Sequence, residues 1–199
     1  MLSKRADVLL NTMMVIEMYS LNRALNGLSQ AEFDWEPHPG AWGIRRRGEA
    51  TTADPLGSEG GESVADNDWQ IAEVSMQGEL EPMTTIGWLL NHFGAAPGAF
   101  AELTIVGGPR TPSSEIYQQM WNHTIISSVD DAVARIREGW KALDGALRST
   151  TDEMLEADYA GHPWIRGDLA CTAMLNEVSH HATQVCTLRD MYAHGAGER

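Results

Sequence analysis

The chain has 199 residues, 43% of them hydrophobic, and its 28 acidic residues against 14 Lys and Arg give a formal net charge of −14. The apolar fraction excludes wholesale disorder, the length fits one domain, and the negative charge disfavours binding to nucleic acid. No apolar run reaches the roughly 18–20 residues of a membrane span and no secretory signal is visible, so we expect a cytoplasmic protein that binds neither nucleic acid nor membrane.

The first predicted helix runs from Ser3 to Asn26, with Ser3 as its N-cap and Gly27 as its stop. Apolar residues recur along it at helical spacing, which is typical of a helix that packs against a core. The pattern predicts one broad apolar face made of Val8, Leu9, Thr12, Met13, Ile16, Met18, Tyr19 and Leu25.

The least regular part of the chain follows, between Leu28 and Met83. Its acidic segment 49–68 is rich in Gly and Ser and almost free of apolar residues, so we interpret about 45–82 as an irregular insertion loop. Only 69–76 resembles a strand, and it is short. Because Trp seldom faces water, at least some of the three Trp residues on this connection should fold back onto the helices.

Three more helices are predicted beyond the insertion. The second covers about 84–103 with a kink or break at Pro97, the third covers 128–150 from an N-cap serine, and the fourth covers 168–193 with Gly195 as its stop. Four long helices with little strand signal predict one all-α domain over residues 1–199, a bundle of four antiparallel helices.

The two cysteines, Cys171 and Cys186, both fall on the fourth predicted helix. At 1.5 Å per residue they are about 22 Å apart, far beyond the reach of a disulfide. We therefore expect two buried free thiols and a reducing compartment.

Polar residues interrupt the apolar stripes of the second and fourth predicted helices. On a helical wheel His181 lies about 40° from Glu177, both among residues that should face the core, and their i, i+4 spacing lets the side chains converge. His92 likewise lies on the core-facing apolar stripe of the second helix. Two imidazoles and a carboxylate suit a divalent metal with an open position, although three hydrogen-bonded core residues without a metal fit the same wheel.

Three segments carry a family resemblance: FDWEPHPGAWGIR (33–45), TTIGWLLNHFG (84–94) and NEVSHHATQVCTLRDMY (176–192). They resemble the DinB/YfiT-like superfamily, and more closely its actinobacterial-type members, which include the mycothiol-dependent maleylpyruvate isomerases. The resemblance implies a four-helix bundle with a long loop between helices 1 and 2, and a divalent metal, zinc or nickel, held by three inward side chains. It selects His92, Glu177 and His181 as the ligands. Many members carry His-x-x-x-His in the last helix, whereas this chain has Glu177-x-x-x-His181, which resembles the isomerase pattern.

Other candidates surround this set. Asn176 and Gln184 flank the ligands and are candidates to hydrogen-bond behind them. The basic run Arg45 to Arg47 could bind the carboxylate of an anionic substrate, but a solvated loop is the better explanation. The residues expected to shape a substrate pocket are His38, Trp42, Trp69 and His180.

For function, the resemblance implies a metal-dependent thiol transferase or isomerase that uses mycothiol, bacillithiol or a similar small thiol. It also implies a homodimer that acts on a small-molecule substrate. The chemistry is consistent, because coordination to a metal lowers the pKa of a thiol. Two alternatives stay open: a hydrolase that uses metal-activated water, and a non-catalytic, stress-linked binding protein that the metal stabilises.

Overall fold

The computed structural model describes residues 3–38, 41–46, 69–72, 83–101, 125–159 and 162–195. Helices dominate these ranges, which confirms the all-α prediction, and no helix among them is long and apolar enough to cross a membrane. The helices are α1 Lys4–Ile16, α2 Asn22–Leu25, α3 Gln30–Asp34, α4 Ile86–Gly94, α5 Ala96–Phe100, α6 Val129–Ser149, α7 Asp152–Glu156 and α8 Gly167–Ala193. The strands are β1 Gly43–Arg46, β2 Trp69–Ala72, β3 Asp158–Tyr159 and β4 His162–Arg166.

The first predicted helix has the expected ends but is interrupted in its middle. The Ser3 side chain accepts the Ala6 N–H as the N-cap, and Gly27 closes the helix with a positive φ of 65°. Between α1 and α2 lies a π-helical turn, Glu17–Leu21, in which the Asn22 N–H donates to the Glu17 carbonyl. Caps are local signals, which is why the sequence located both ends.

The broad apolar face predicted for this helix is corrected by the structure. Leu9, Met13 and Ile16 are buried, whereas Val8 and Tyr19 are 65% and 71% exposed. Met18 and Thr12 also face outward. The helical period identifies apolar residues on one side of a helix but does not distinguish residues in the core from residues on an outer surface.

The second predicted helix is broken where Pro97 was expected to break it. The helix α4 ends at Gly94, Ala95 forms a turn, and α5 begins with Pro97 in its first turn, where the missing N–H costs no hydrogen bond. The ends of α6 and α8 also match their predictions, with Ser128 capping α6 and Gly195 at φ 74° after α8.

The direction of the helices differs from the predicted antiparallel order. Ion pairs tie Arg5 to Asp168 and Arg23 to Asp190, so the first helix and α8 run parallel. Asn91 contacts Ile126 and Gly98 contacts Gly139, so α4–α5 and α6 also run parallel. The first helix and α6 run in opposite directions, because Arg137 in α6 bonds to Asn26 at the end of the first helix, and Ser3 at its start bonds to Asp152, just beyond α6. The bundle therefore consists of two parallel pairs packed against each other: α1–α2 with α8, and α4–α5 with α6.

This order requires a long crossover between α5 and α6. Ile126 is bonded to Asn91, ten residues before Ala101, so the connection has to return about 15 Å along the helix pair. Residues 102–124, which make this connection, lie outside the described residues. The prediction of antiparallel neighbours was wrong because only short connections enforce that arrangement.

Close backbone contact joins α5 to α6. A Cβ added to Gly139 would lie 2.9 Å from the Gly98 nitrogen, so helices this close together require glycine at position 139. Nearby, the fully buried Asn91 amide donates to the Gly87 and Ile126 carbonyls and accepts the Ile126 N–H. The Arg135 guanidinium also donates to this amide, at 3.1 Å, and its burial lowers the pKa of Arg135 to about 10.

The insertion is less irregular than predicted at its two ends. Strands β1 and β2 pair antiparallel, with Ile44 opposite Ile71, so short strands flank the acidic segment 49–68, which lies outside the described residues. Trp42, just before β1, forms a bridge with Thr84, and the Thr85 N–H donates to the Trp42 carbonyl at 2.7 Å. These bonds fix the end of the insertion against the start of α4.

The cysteines behave as predicted. Both Cys171 and Cys186 are buried and free of disulfides. Burial raises the pKa of Cys171 to about 12 and also raises that of Cys186, so both thiols stay protonated near neutral pH.

Candidate metal centre

His181 lies on the inner side of α8, where it is only 9% exposed. Val178, Ala182 and Val185 around it are fully buried, so helical spacing alone places the imidazole in the interior. Its Nδ1–H donates to the Gln184 side-chain carbonyl at 2.7 Å. With Nδ1 engaged, Nε2 is the nitrogen available for a further contact, and the bond fixes the orientation of the ring.

Glu177 meets that second nitrogen. Its Oε2 lies 3.3 Å from His181 Nε2, one helical turn earlier on α8, while the Glu177 side chain is 62% exposed. A bare imidazole nitrogen and a carboxylate repel unless a proton or a cation lies between them. The pair therefore has the donor chemistry and the accessibility of a cation site.

His92 approaches from α4 and is held by aromatic packing. Its ring stacks on Trp88, one turn earlier, at 4.4 Å between centroids and 14° between planes. The same ring meets His181 edge to face at 4.7 Å, with an interplanar angle of 82°. Phe93 stacks on His181 from the same helix at 5.8 Å. The two imidazoles thus meet inside a wall of aromatic rings.

The spacing of the imidazoles can be compared with that of two ligands on one ion. Metal–nitrogen bonds of about 2.1 Å at a near-tetrahedral angle place the ring centres about 5 Å apart, close to the observed 4.7 Å. Within the described ranges, however, no three His, Cys, Asp or Glu side chains already surround a common point as a metal would require. The donor set fits a divalent ion, and Glu177, as an exposed side chain, is the ligand that has to turn inward.

Trp42 extends the aromatic wall. Its ring lies 5.4 Å from that of Trp88, which in turn stacks on His92. Its buried indole N–H has no hydrogen-bond acceptor in the part of the chain that the structure describes. This donor belongs to the ring next to Trp88, one ring away from His92, which suits the wall of a binding pocket.

The other predicted site residues are placed less centrally. His180 is exposed, with its ring 5.0 Å from that of His181, and His38 is exposed in the loop before β1. Asn176 is exposed and about 140° around α8 from His181, so the structure does not bring the two together. The side chain of Trp69 and the whole of Arg47 lie outside the described residues.

Sequence reasoning missed Trp88 and Phe93. Both are buried residues of α4. The available signal was the i, i+4 spacing of Trp88 and His92, which places an aromatic ring directly beneath the imidazole.

These features define a helical bundle in which two imidazoles from different helices are in ring contact beside an aromatic wall, and a carboxylate oxygen lies 3.3 Å from one of them. A family model described as the DinB superfamily matches residues 18–185, most of the chain. The chain belongs to the DinB superfamily. No curated protein and no solved structure matches it. The closer relationship to mycothiol-dependent isomerases stays a prediction.

Proposed function

We propose that this DinB superfamily protein is a divalent-metal-dependent enzyme that activates a small thiol, with His92, Glu177 and His181 as its ligands. One observation carries the proposal: the ring centroids of His92 and His181, on different helices, lie 4.7 Å apart, and Glu177 Oε2 lies 3.3 Å from His181 Nε2. Zinc and nickel both accept two imidazoles and a carboxylate.

The surrounding side chains have distinct supporting roles. Gln184 holds the His181 ring in the tautomer that presents Nε2, and stacking on Trp88 holds the His92 ring. Glu177, at the solvent-facing edge, closes the set by a change of rotamer while the helices stay in place. Three protein ligands leave at least one position for an exogenous group, whereas structural zinc sites normally have four.

The thiol enters the proposal from the family resemblance. A divalent ion in this site would lower the pKa of a bound thiol so that the nucleophilic thiolate predominates at neutral pH. Mycothiol or bacillithiol would enter past the exposed Glu177, and transfer or isomerisation of a small electrophile would follow. Trp42 would line the pocket, with its indole N–H available to a substrate oxygen.

Two rival functions use the same ligands. Metal-activated water would make the protein a hydrolase, and a metal that only stabilises the bundle would make it a non-catalytic binding protein. The exposure of Glu177 favours an accessible site over a closed structural one.

Metal binding is tested by elemental analysis and zinc titration of the purified protein. We expect one divalent ion per chain, and an affinity about 100-fold or more lower in His92→Ala and in His181→Ala. His180→Ala is the matched control, since that imidazole is exposed on the same helix, and it should change the affinity less than about 3-fold. Full metal content in both ligand variants would rule out the site.

Thiol binding is tested separately on the zinc-loaded protein. We expect mycothiol or bacillithiol to bind by calorimetry, and Glu177→Ala to abolish that binding. If neither thiol binds, and removal of zinc only lowers the melting temperature, the metal has a structural role and the enzyme proposal is wrong.

A further inference from the structure

A groove opens between the first helix and α8, at the end of the bundle where both helices begin. Its volume is about 370 Å³, within the usual range of small-molecule sites. It is separate from the candidate metal centre, because His181 lies about 14 Å beyond Thr172 along α8 and on the opposite side of that helix. The groove is lined by Lys4, Arg5, Val8, Leu9, Arg166, Asp168, Leu169 and Thr172.

The lining of the groove has more positive charge than the rest of the chain. Its basic residues outnumber its acidic ones three to one, whereas the chain has 28 acidic residues against 14 Lys and Arg. The one carboxylate, Asp168, accepts from Arg5 at 2.6 Å and from Arg166 at 3.0 Å, both through Oδ2. Outside the lining, Glu156 binds the second nitrogen of Arg5, and Asp152 accepts the Arg5 backbone N–H. The surrounding carboxylates are therefore engaged mainly with Arg5.

Lys4 and Arg166 are the cations that a ligand can use. The Lys4 side chain is exposed and has no ion pair within the described ranges. Arg166 is 53% exposed and bonds there only to Asp168. A guanidinium has five N–H donors, so most of those of Arg166 remain available to an acceptor.

Beyond this basic end, both walls of the groove become aliphatic. Val8 follows Lys4 by one turn on the first helix, and Leu169 follows Arg166 by about one turn at the start of α8. Val8 and Leu169 are 65% and 54% exposed. Because the two helices run parallel, the basic parts of both walls lie at one level and the aliphatic parts at the next. From Arg166 to Thr172 the groove extends about 9 Å, which matches a chain of about six to eight carbons.

We propose that this groove binds an aliphatic carboxylate, a small amphiphilic anion with a chain of about six to eight carbons. The carboxylate accepts charge-assisted hydrogen bonds from Lys4 and Arg166. The chain lies on Val8 and Leu169 and covers apolar surface that is otherwise exposed to water. A neutral ligand leaves both cations unpaired, and a basic ligand is repelled by them.

An anionic membrane surface offers the same chemistry, but the structure favours a free molecule. The site is a groove between two helices, and the chain around it carries a net charge of −14. A large anionic surface meets the repulsion of that whole charge. A small carboxylate responds mainly to charges within a Debye length of about 8–10 Å, where Lys4 and Arg166 lie.

The test is calorimetric titration of the intact chain with butanoate, hexanoate, octanoate and decanoate. We expect a dissociation constant of about 0.1–1 mM for octanoate. Each methylene up to octanoate should raise the affinity about 2-fold, because an open groove covers about half of the group. 1-Octanol, with the same chain and no charge, should bind at least about 10-fold more weakly than octanoate. Equal binding of octanoate and octanol, or an affinity independent of chain length, would overturn the proposal.

Variants assign the binding to the groove. Lys4→Gln and Arg166→Gln should each weaken octanoate about 5- to 10-fold. Leu169→Ser should weaken octanoate about 3-fold or more and change butanoate less than about 2-fold. Lys141→Gln is the matched control, because Lys141 is an exposed lysine on α6 outside the groove, and its effect should stay below about 2-fold. Octanoate binding that is unchanged in both groove variants would place the ligand elsewhere and overturn the proposal.

Vesicles distinguish a free carboxylate from a membrane. At about 0.15 M NaCl, the protein should stay in solution with phosphatidylcholine vesicles that contain about 30% phosphatidylglycerol. Sedimentation with these vesicles that Lys4→Gln abolishes, in a protein that does not bind octanoate, would show that the groove meets a membrane surface and that the proposal is wrong.

Discussion

The two parallel helix pairs of this bundle are built in opposite ways. The pair α4–α5 with α6 is joined by glycine contact and by buried polar groups that are bonded to one another, as at Asn91 and Gly139. The pair α1–α2 with α8 is joined by ion pairs near its ends and carries an uncharged apolar surface on its outer side. The first pair is held together by internal polar contacts, whereas the second exposes apolar side chains on its outer side.

The largest expected effect comes from breaking the polar network around Asn91 in the pair α4–α5 with α6. Asn91→Ala leaves the half-buried Ile126 N–H and carbonyl without this partner and removes an acceptor of Arg135, so we expect a loss of about 3 kcal/mol in unfolding free energy. Urea denaturation followed by circular dichroism measures it. The control is Asn11→Ala, whose exposed amide donates only to the Asp7 carbonyl and should cost about 0.5 kcal/mol or less. A loss below about 1 kcal/mol for Asn91→Ala would show that the network is not what holds this pair.

The second effect tests the glycine contact itself. Gly139→Ala forces a Cβ to within 2.9 Å of the Gly98 nitrogen, and because that atom is backbone, we expect a loss of about 1–3 kcal/mol. Gly145→Ala, on the same helix with nothing within 4 Å of the new Cβ, should instead stabilise by about 0.5–1 kcal/mol through helix propensity. Thermal melts of the two variants should therefore shift in opposite directions, and equal shifts would contradict the close approach.

The smallest effect is a pH dependence at one end of the other pair. Arg189 on α8 donates to Glu32 at 2.8 Å and to the carbonyls of Arg23 and Asn26, which ties α3 and the end of α2 to α8. Burial alone would raise the pKa of Glu32, but the Ser29 N–H and Arg189 outweigh it and hold that pKa below 4.5.

The sign follows from the lowered value. The contribution of Glu32 to stability is complete at neutral pH and is lost as pH falls below about 4.5, through the folded-state pKa. Glu32→Gln should cost about 1 kcal/mol at pH 7, and its difference from the wild type should shrink by pH 3. Glu153→Gln, an exposed carboxylate on α7, should show no such convergence. A Glu32→Gln deficit that persists unchanged at pH 3 would contradict the assignment.

The sequence predicted those parts of the fold that depend on near neighbours. Ser3, Gly27 and Gly195 mark helix ends through their own side chains or backbone angles, and Pro97 breaks a helix through its own ring. The direction of each helix depends instead on how far its connection travels, and no local signal records that distance. The exposed side of the first helix was missed for a related reason, because the helical period is the same for apolar residues in a core and for apolar residues on an outer surface.

The candidate site shows the same division. The helical wheel placed His92 and His181 on inward stripes, and their rings meet in the structure. Gln184 was expected as a hydrogen-bond donor behind the ligands, and in the structure it contacts His181 as the acceptor, through its side-chain oxygen. Trp88 as the support for His92, and the outward position of Asn176, follow from side-chain rotamers and from the rotation of α8 about its axis, which sequence spacing gives only roughly.

The π-helical turn at Glu17–Leu21 has a consequence for how this chain lines up with its relatives. A turn closed by i→i−5 hydrogen bonds holds one more residue than an α-helical turn, so the helix contains an insertion that adds no loop. A relative whose first helix is α-helical throughout would align with a one-residue gap inside this segment. Deleting one residue within Glu17–Leu21 would therefore leave an α-helical turn and keep Leu9 and Met13 in the core. A deletion elsewhere in this helix would rotate the residues on one side of it by about 100°, so the tolerated site for a change of length is narrow.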